Sequence, residues 1–387
     1  MKQRFIQMPA LLARVHTLQM LAWPALLAGA LLIVGCKGGS QGGKEQEEQS
    51  EKLAQKPQSK GLPYELVLVI PRGIYTGELK DTLDAVLQGS TPVLPQHEAM
   101  FRLDVAYTDA NLTPWRTFRN RMVVEVDSRQ KKAQLGVAMD AAARPQIEVK
   151  VTASTPHELA EFLGAQRQRL TDLFVDHELE CEAANLRRKN NRMTRDSLFA
   201  LCAHTICVPP AFRAAKVGEN FLWTGTNLND KDQNFIYYSY AWNGRPLSPE
   251  QFVEKHDSVL RVNIPGARAG QWMQTARVHP SQESAASALS QSDTSAAPAA
   301  SGHPTSASAV LPPLILARTR VIHNNVVQQV HGLWELKDGA LGGPFVALER
   351  VDTAAGRVLV CEGFIYSPHS PKRDLLRQME AALRTFE

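Results

Sequence analysis

Cys36 is the residue best placed for chemistry that can be named, because it closes the run Leu31-Leu32-Ile33-Val34-Gly35-Cys36. The leader it ends carries Lys2, Arg4 and Arg14, then an apolar stretch from about Leu18 to Val34. That order, basic then apolar then small, reads as a secretory signal. Ile33-Val34-Gly35-Cys36 reads further as a lipobox: cleavage before Cys36 frees its amine, its thiol takes a diacylglycerol, and the acyl chains hold the mature protein on a bacterial membrane. The competing reading is an uncleaved spanning helix, since about 17 apolar residues approach the lower length limit for crossing a bilayer. Pro24 and the Gly35-Cys36 ending speak against it.

Four cysteines remain, Cys181, Cys202, Cys207 and Cys361, an even set for an exported chain. They allow two disulfides in three connectivities, or buried free thiols, and Cys202 and Cys207 are close enough to pair locally. Cys202-Ala203-His204-Thr205-Ile206-Cys207, with His177, Glu178 and Cys181 upstream, could also gather around a metal, but the spacing matches no common zinc pattern. The expectation is no metal and no cofactor.

Catalytic motifs are sparse. There is no Gly-x-Ser-x-Gly elbow, no phosphate-cradling glycine loop and no His-Glu-x-x-His pair; His157-Glu158-Leu159-Ala160-Glu161 lacks the second histidine. Ser128-Arg129-Gln130-Lys131 has Ser-x-x-Lys spacing but sits in a charged turn without companion motifs. A hydrolase would have to assemble its site from distant residues, with His323, His331, Glu335 and Glu362 the nearest candidates, and these are not expected to converge.

Two candidate ligand-binding features remain. Seven aromatics fall between Phe221 and Trp242, and strand alternation puts Tyr238, Tyr240 and Trp242 on one face. Exposed, they would stack on a sugar ring or an apolar ligand; buried, they are sheet core, which aromatic enrichment in strands favours. Lys372 and Arg373 open the last helix, where cations oppose the helix dipole and require either a compensating carboxylate, for which Glu362 is a candidate, or an anionic ligand.

The elements that must position these residues follow from periodicity. β-Branched and apolar runs predict strands at 64–70, 101–107, 121–127, 133–137 and 146–152, with a helix over 78–87. After Ser154 and Pro156 comes the longest helical stretch, 155–201, broken once. A hairpin is expected from 221–226 and 233–242, a helix capped by Ser248 over 249–260, a three-stranded β-meander from Val326 onward, and a closing helix from Pro371. The fold class is α+β: mixed and antiparallel sheets with packed helices, an N-terminal αβ half and a C-terminal meander half closed by the terminal helix.

Composition sets the organisation. Residues 1–35 read as the signal peptide and 36–60, almost without apolar groups, as a flexible tether. Glu45, Glu47 and Glu48 resemble a surface-export signal. Residues 61–201 form the first region and 202–387 the second, interrupted over 280–313 by a Ser/Ala/Pro-rich insertion between two strands, expected to be disordered. The formal charge of +4 drops to about +1 when the leader's three basic residues are removed. A nearly neutral chain gives no electrostatic reason to bind nucleic acid.

Several segments together carry a resemblance: Arg119-Asn120, Arg144-Pro145-Gln146, Ile264 to Thr275, Gly332 to Ala347 and Cys361 to Leu383. They resemble a family of Gram-negative envelope lipoproteins known as domain of unknown function 4837, with Gly-Gly-Pro-Phe and Glu-Gly-Phe-Ile-Tyr-x-Pro-x-x-x-Lys-Arg the more specific parts. The resemblance implies a lipid-anchored envelope protein with no assigned reaction, and no catalytic residue carries over from it. The expected partners are the membrane, through the acyl chains, and an envelope protein or glycan.

Overall fold

The computed structural model describes residues 56–277 and 314–387. The segments expected to be signal peptide and, for the most part, tether, with Cys36, and the Ser/Ala/Pro-rich insertion lie outside the described residues.

Glu65-Leu-Val-Leu-Val-Ile70 has the continuous apolar character of a strand covered on both faces, and β1 (Glu65–Ile70) is an interior strand of the first sheet. It pairs in parallel with β2 (Arg102–Tyr107) and β3 (Asn120–Val126); β3 pairs in parallel with β5 (Ile147–Ala153), and β4 (Gln134–Met139) closes the edge antiparallel to β5. α1 (Gly77–Leu87) makes the β1 to β2 crossover and buries Leu79, Leu83, Val86 and Leu87. The helical stretch after β5 is broken twice, not once. α2 (Pro156–Ala165) is capped by Thr155, whose hydroxyl accepts from Glu158 N; α3 (Arg167–Arg188) restarts after Gln166; α4 (Arg192–Cys202) is capped by the Asn191 side chain. Thr155 sets the start of the stretch, and Asn191, whose N-cap backbone is extended, imposes the second break, which apolar spacing does not reveal.

The second sheet is antiparallel, in the order β10-β11-β12-β13-β8-β7-β6. Its strands are β6 (Ala214–Val217), β7 (Phe221–Gly225), β8 (Asp232–Ala241), β9 (Met273–Thr275), β10 (Ile315–Ile322), β11 (Asn325–Leu336), β12 (Gly342–Asp352) and β13 (Arg357–Tyr366). The expected hairpin is β7 with β8, and the expected meander is β11 to β13. β9 and β10 lie end to end along the outer edge of β11. α5 (Pro249–Asn263) covers one face of this sheet and α6 (Arg373–Leu383) the other.

Alternation along β13 decides what each helix meets. Cys361 and Ile365 share an apolar cluster with Met379 and Leu383 of α6, with α1 to α3 and with the inward face of the first sheet. Val358, Val360 and Phe364 instead face α5. One buried core thus runs through both sheets. Two glycines of the distinctive segments are fixed by close approach: a Cβ on Gly343 would lie 2.0 Å from Ile365 O, and one on Gly363 would lie 2.5 Å from Met379 Cβ.

The expected tether is held at its far end. Ser59 N donates to Arg144 O, Arg144 N to Pro57 O, Lys60 N to Thr117 O and Arg119 N to Lys60 O, because the loops ahead of β3 and β5 offer unpaired backbone groups that these polar residues satisfy. The four later cysteines are free thiols, so no disulfide forms among them. Among the described residues no helix is long and apolar enough to cross a membrane.

Candidate functional site

Polar chemistry gathers in three places. The first lies under α5. Ser248 Oγ accepts from Gln251 N at 3.2 Å, Pro249 fits the first turn, and the helix then presents Phe252, Val253, His256 and Leu260 as one buried stripe. The facing strand brings up Glu362, in line with Val358 and Val360. His256 Nε2 stands 3.0 Å from Glu362 Oε2, both side chains are wholly shielded from solvent, and the contact is out of line for a hydrogen bond. The imidazole packs against both Phe252 and Phe345, with ring centroids 5.4 and 5.0 Å away, and the two phenyl rings lie 6.2 Å from each other. Its Nδ1 lies 3.2 Å from Asp257 Oδ1 and 3.0 Å from Thr275 Oγ1, and Arg277 holds the other Asp257 oxygen at 2.7 Å. Burial opposes the imidazolium, but Glu362 and Asp257 outweigh it and raise the His256 pKa from 6.5 to about 9. A histidine between two carboxylates is acid–base machinery in kind, yet general acid–base catalysis needs hydrogen-bond reach to a substrate, and this pair has none.

Tyr238 belongs to the same core, 1% exposed, with its hydroxyl unpartnered. Tyr240 donates to Glu349, whose second oxygen accepts from Gln328 at 3.0 Å, and burial raises the Glu349 pKa to about 7. Trp242 is half-buried and donates to Arg245 O at 2.8 Å. Of the two readings, the favoured one, sheet core, describes Tyr238: α5 covers that face of the hairpin, Tyr240 and Trp242 pack half-buried against the same cluster, and the three form no exposed stacking platform.

The second place is the start of α6. Glu98, from the loop before β2, accepts from Lys372 N and Arg373 N at 2.8 Å each. Arg373 Nη1 reaches Ala99 O at 2.7 Å, and Lys372 Nζ reaches Ser370 O at 3.1 Å and Gln96 Oε1 at 3.3 Å. The compensating carboxylate is Glu98, not Glu362, because Glu362 points to the α5 face of β13 while α6 covers the other. With the orphan amides taken by Glu98, no anion is needed there.

The third place is a charge network where α3, α6 and the β10–β11 hairpin meet. Arg320 contacts Asp176 at 2.6 Å and Asp172 at 3.4 Å; Arg384 binds Asp176, and Glu180 at 2.9 Å. Glu380 takes Arg377 at 2.6 Å and Gln329 at 2.7 Å, with His331 at 3.6 Å. The hydrolase candidates are dispersed across these places: His323 faces Glu180, His331 faces Glu380, Glu335 accepts from Gln274, and Glu362 faces His256. No two of the four meet. The residues around a supposed metal part likewise: His204 stacks on Phe386, the Cys202 thiol donates to Leu198 O, and His177 stays with Cys181 on α3. Among the described residues no three metal-ligating side chains converge. Beside the network lies a cavity of about 320 Å³ floored by Ile322, Val327, Leu348, Leu383 and Phe386.

Sequence reasoning missed His256, Asp257 and Thr275. The available signal was a lone histidine on the apolar stripe of the helix predicted over 249–260.

Comparison with known proteins gives two family matches: residues 193–385 match a domain of unknown function (DUF4837), and residues 59–187 match a second domain of unknown function (DUF8532). The Arg119-Asn120 and Arg144-Pro145-Gln146 segments fall in the second match. No curated protein matches the chain. A solved structure, a mutant of protein Mog1, is 10% identical, with 48% of this chain and 90% of that chain covered, at a TM-score of 0.26.

Proposed function

With residues 193–385 belonging to the DUF4837 family, we propose that this protein is a lipid-anchored bacterial envelope protein whose folded part binds a ligand or partner rather than transforming one. The observation that carries the anchor is the leader ending in Ile33-Val34-Gly35-Cys36. Three or so acyl chains on Cys36 exceed the two signals that stable membrane retention requires. The binding reading is supported by the state of the acid–base groups: His256, His323, His331, Glu335 and Glu362 each face an internal partner. An envelope protein or glycan is the proposed macromolecular partner.

Cys36→Ser tests the anchor. Wild type labelled with radioactive palmitate should carry label and partition with membranes, and the variant should do neither; a variant acylated like wild type would overturn the assignment. Pull-down of the lipidated protein, with co-purifying protein and glycan identified, tests the binding reading. A clean monomer without companions would count against a macromolecular partner.

A further inference from the structure

The cavity beside the charge network has one unneutralised cation. On β12, Val346, Leu348 and Arg350 alternate toward the face that α6 covers, but α6 ends at Leu383 while β12 runs on to Asp352. The strand face past the helix end is left open, and the cavity forms there, between Arg350, the Phe386 ring and the β10–β11 turn. That turn is His323-Asn324, both left-handed (φ 47° and 64°), the two-residue form whose twist suits a hairpin. Of the charged groups at the cavity, Arg384 is held by Asp176 and Glu180, His323 faces Glu180, and the Glu387 side chain pairs with Arg187. Arg350 is half-buried, its guanidinium stands 4.5 Å over the Phe386 ring, and among the described residues no carboxylate lies within ion-pair distance of it.

We propose that this cavity binds a small amphiphilic carboxylate, with the carboxylate on Arg350 and the apolar body on the Leu348, Leu383 and Phe386 floor. The volume of about 320 Å³ is at the lower end of ligand sites and, at roughly 25–30 Å³ per non-hydrogen atom, holds about 11–13 of them, which admits an acid the size of decanoate. A planar guanidinium half out of water takes a carboxylate bidentately. A single free cation suits a monoanion, and an apolar floor excludes a bare inorganic ion. The inference deepens the reading of the folded part as a binder and rests on it.

The test is calorimetric titration of the unlipidated protein, residues 36–387 carrying Cys36→Ser, with sodium decanoate and with decylamine. Saturable one-to-one decanoate binding is expected, weakened about tenfold or more by Arg350→Gln and less by Arg350→Lys, with no saturable decylamine binding. Equal decanoate affinity in wild type and a folded Arg350→Gln protein would overturn the proposal, as would decylamine binding as well as decanoate, or no decanoate binding to wild type. If Arg350→Gln fails to fold, Arg350→Lys and the decylamine control decide it. Absent decanoate binding alongside a captured partner removes only this cavity assignment; absence of both removes the binder reading too.

Discussion

The imidazole of His256 and the carboxylate of Glu362 meet at 3.0 Å with no solvent contact on either side chain, although one residue lies on α5 and the other on β13. Because His256 is held charged up to about pH 9, against 6.5 when unfolded, its contribution to stability is fully present below pH 6.5 and lost as pH rises through 9. Two other buried groups act at lower pH. Glu349, raised to about 7, loses its contribution as pH rises from 4.5 to 7, and His177, lowered to about 4 chiefly by burial, adds stability as pH rises from 4 to 6.5. Between pH 7 and 9 His256 dominates these three. The urea midpoint should fall across that window, and His256→Gln should flatten the fall; an unchanged slope in the variant would separate the pair from the pH response.

Glu178 on α3 is 2% exposed and accepts from Arg119 at 2.7 Å and Asn120 at 2.5 Å. Asn120 also donates to Glu65 O, so this carboxylate ties α3 to β1 and β3. Glu178→Ala strands a buried guanidinium and an amide and should cost about 3–5 kcal/mol in urea unfolding, with Glu178→Gln milder because one acceptor survives. A loss under about 1 kcal/mol would mean the site relaxes or admits water.

Glu98 supplies the acceptor that the start of α6 lacks in its own sequence, taking two backbone amides at once. Glu98→Ala should cost about 1–2 kcal/mol, as loss of a helix cap does. Amide exchange should rise locally at residues 372–376. Unchanged exchange there would show that water replaces the carboxylate without loss.

Gly343→Ala drives a methyl into the Ile365 carbonyl, a backbone atom that cannot swing away. The expected loss is about 3 kcal/mol, near the top of the range for overpacking. Gly136→Ala is the control, since nothing lies within 4 Å of its would-be Cβ; it should change stability by no more than about 0.5 kcal/mol. Comparable melting temperatures for the two variants would contradict the packing argument.

Local signals in the sequence locate most elements. Glu65 to Ile70 announces a doubly covered strand, Ser248-Pro249 announces α5, and three turn-bounded runs announce β11 to β13. β10, the strand expected after the insertion, had no bounds in the sequence because Arg318 and Arg320 make Ile315 to Ile322 look polar; Arg320 is in fact matched by Asp172 and Asp176 on a distant helix. The polar cluster under α5 escaped for a related reason. His256 lies on an apolar helical stripe, and what turns it into an imidazolium is a carboxylate brought close only by the fold. Glu98 behaves alike, capping a helix that is remote in the chain. Periodicity reports which face of an element is covered, but a pair between distant segments leaves no periodic trace.

β9 and β10 meet on the edge of β11, and Ala276, Leu314 and Leu333 are stitched by three backbone hydrogen bonds of 2.8 to 3.0 Å. The chain therefore departs from the sheet and rejoins it at one point, whatever the number of residues between. Because closure entropy grows only logarithmically with loop length, that point is a port at which a guest sequence, short or long, can be hosted without the sheet registering its size.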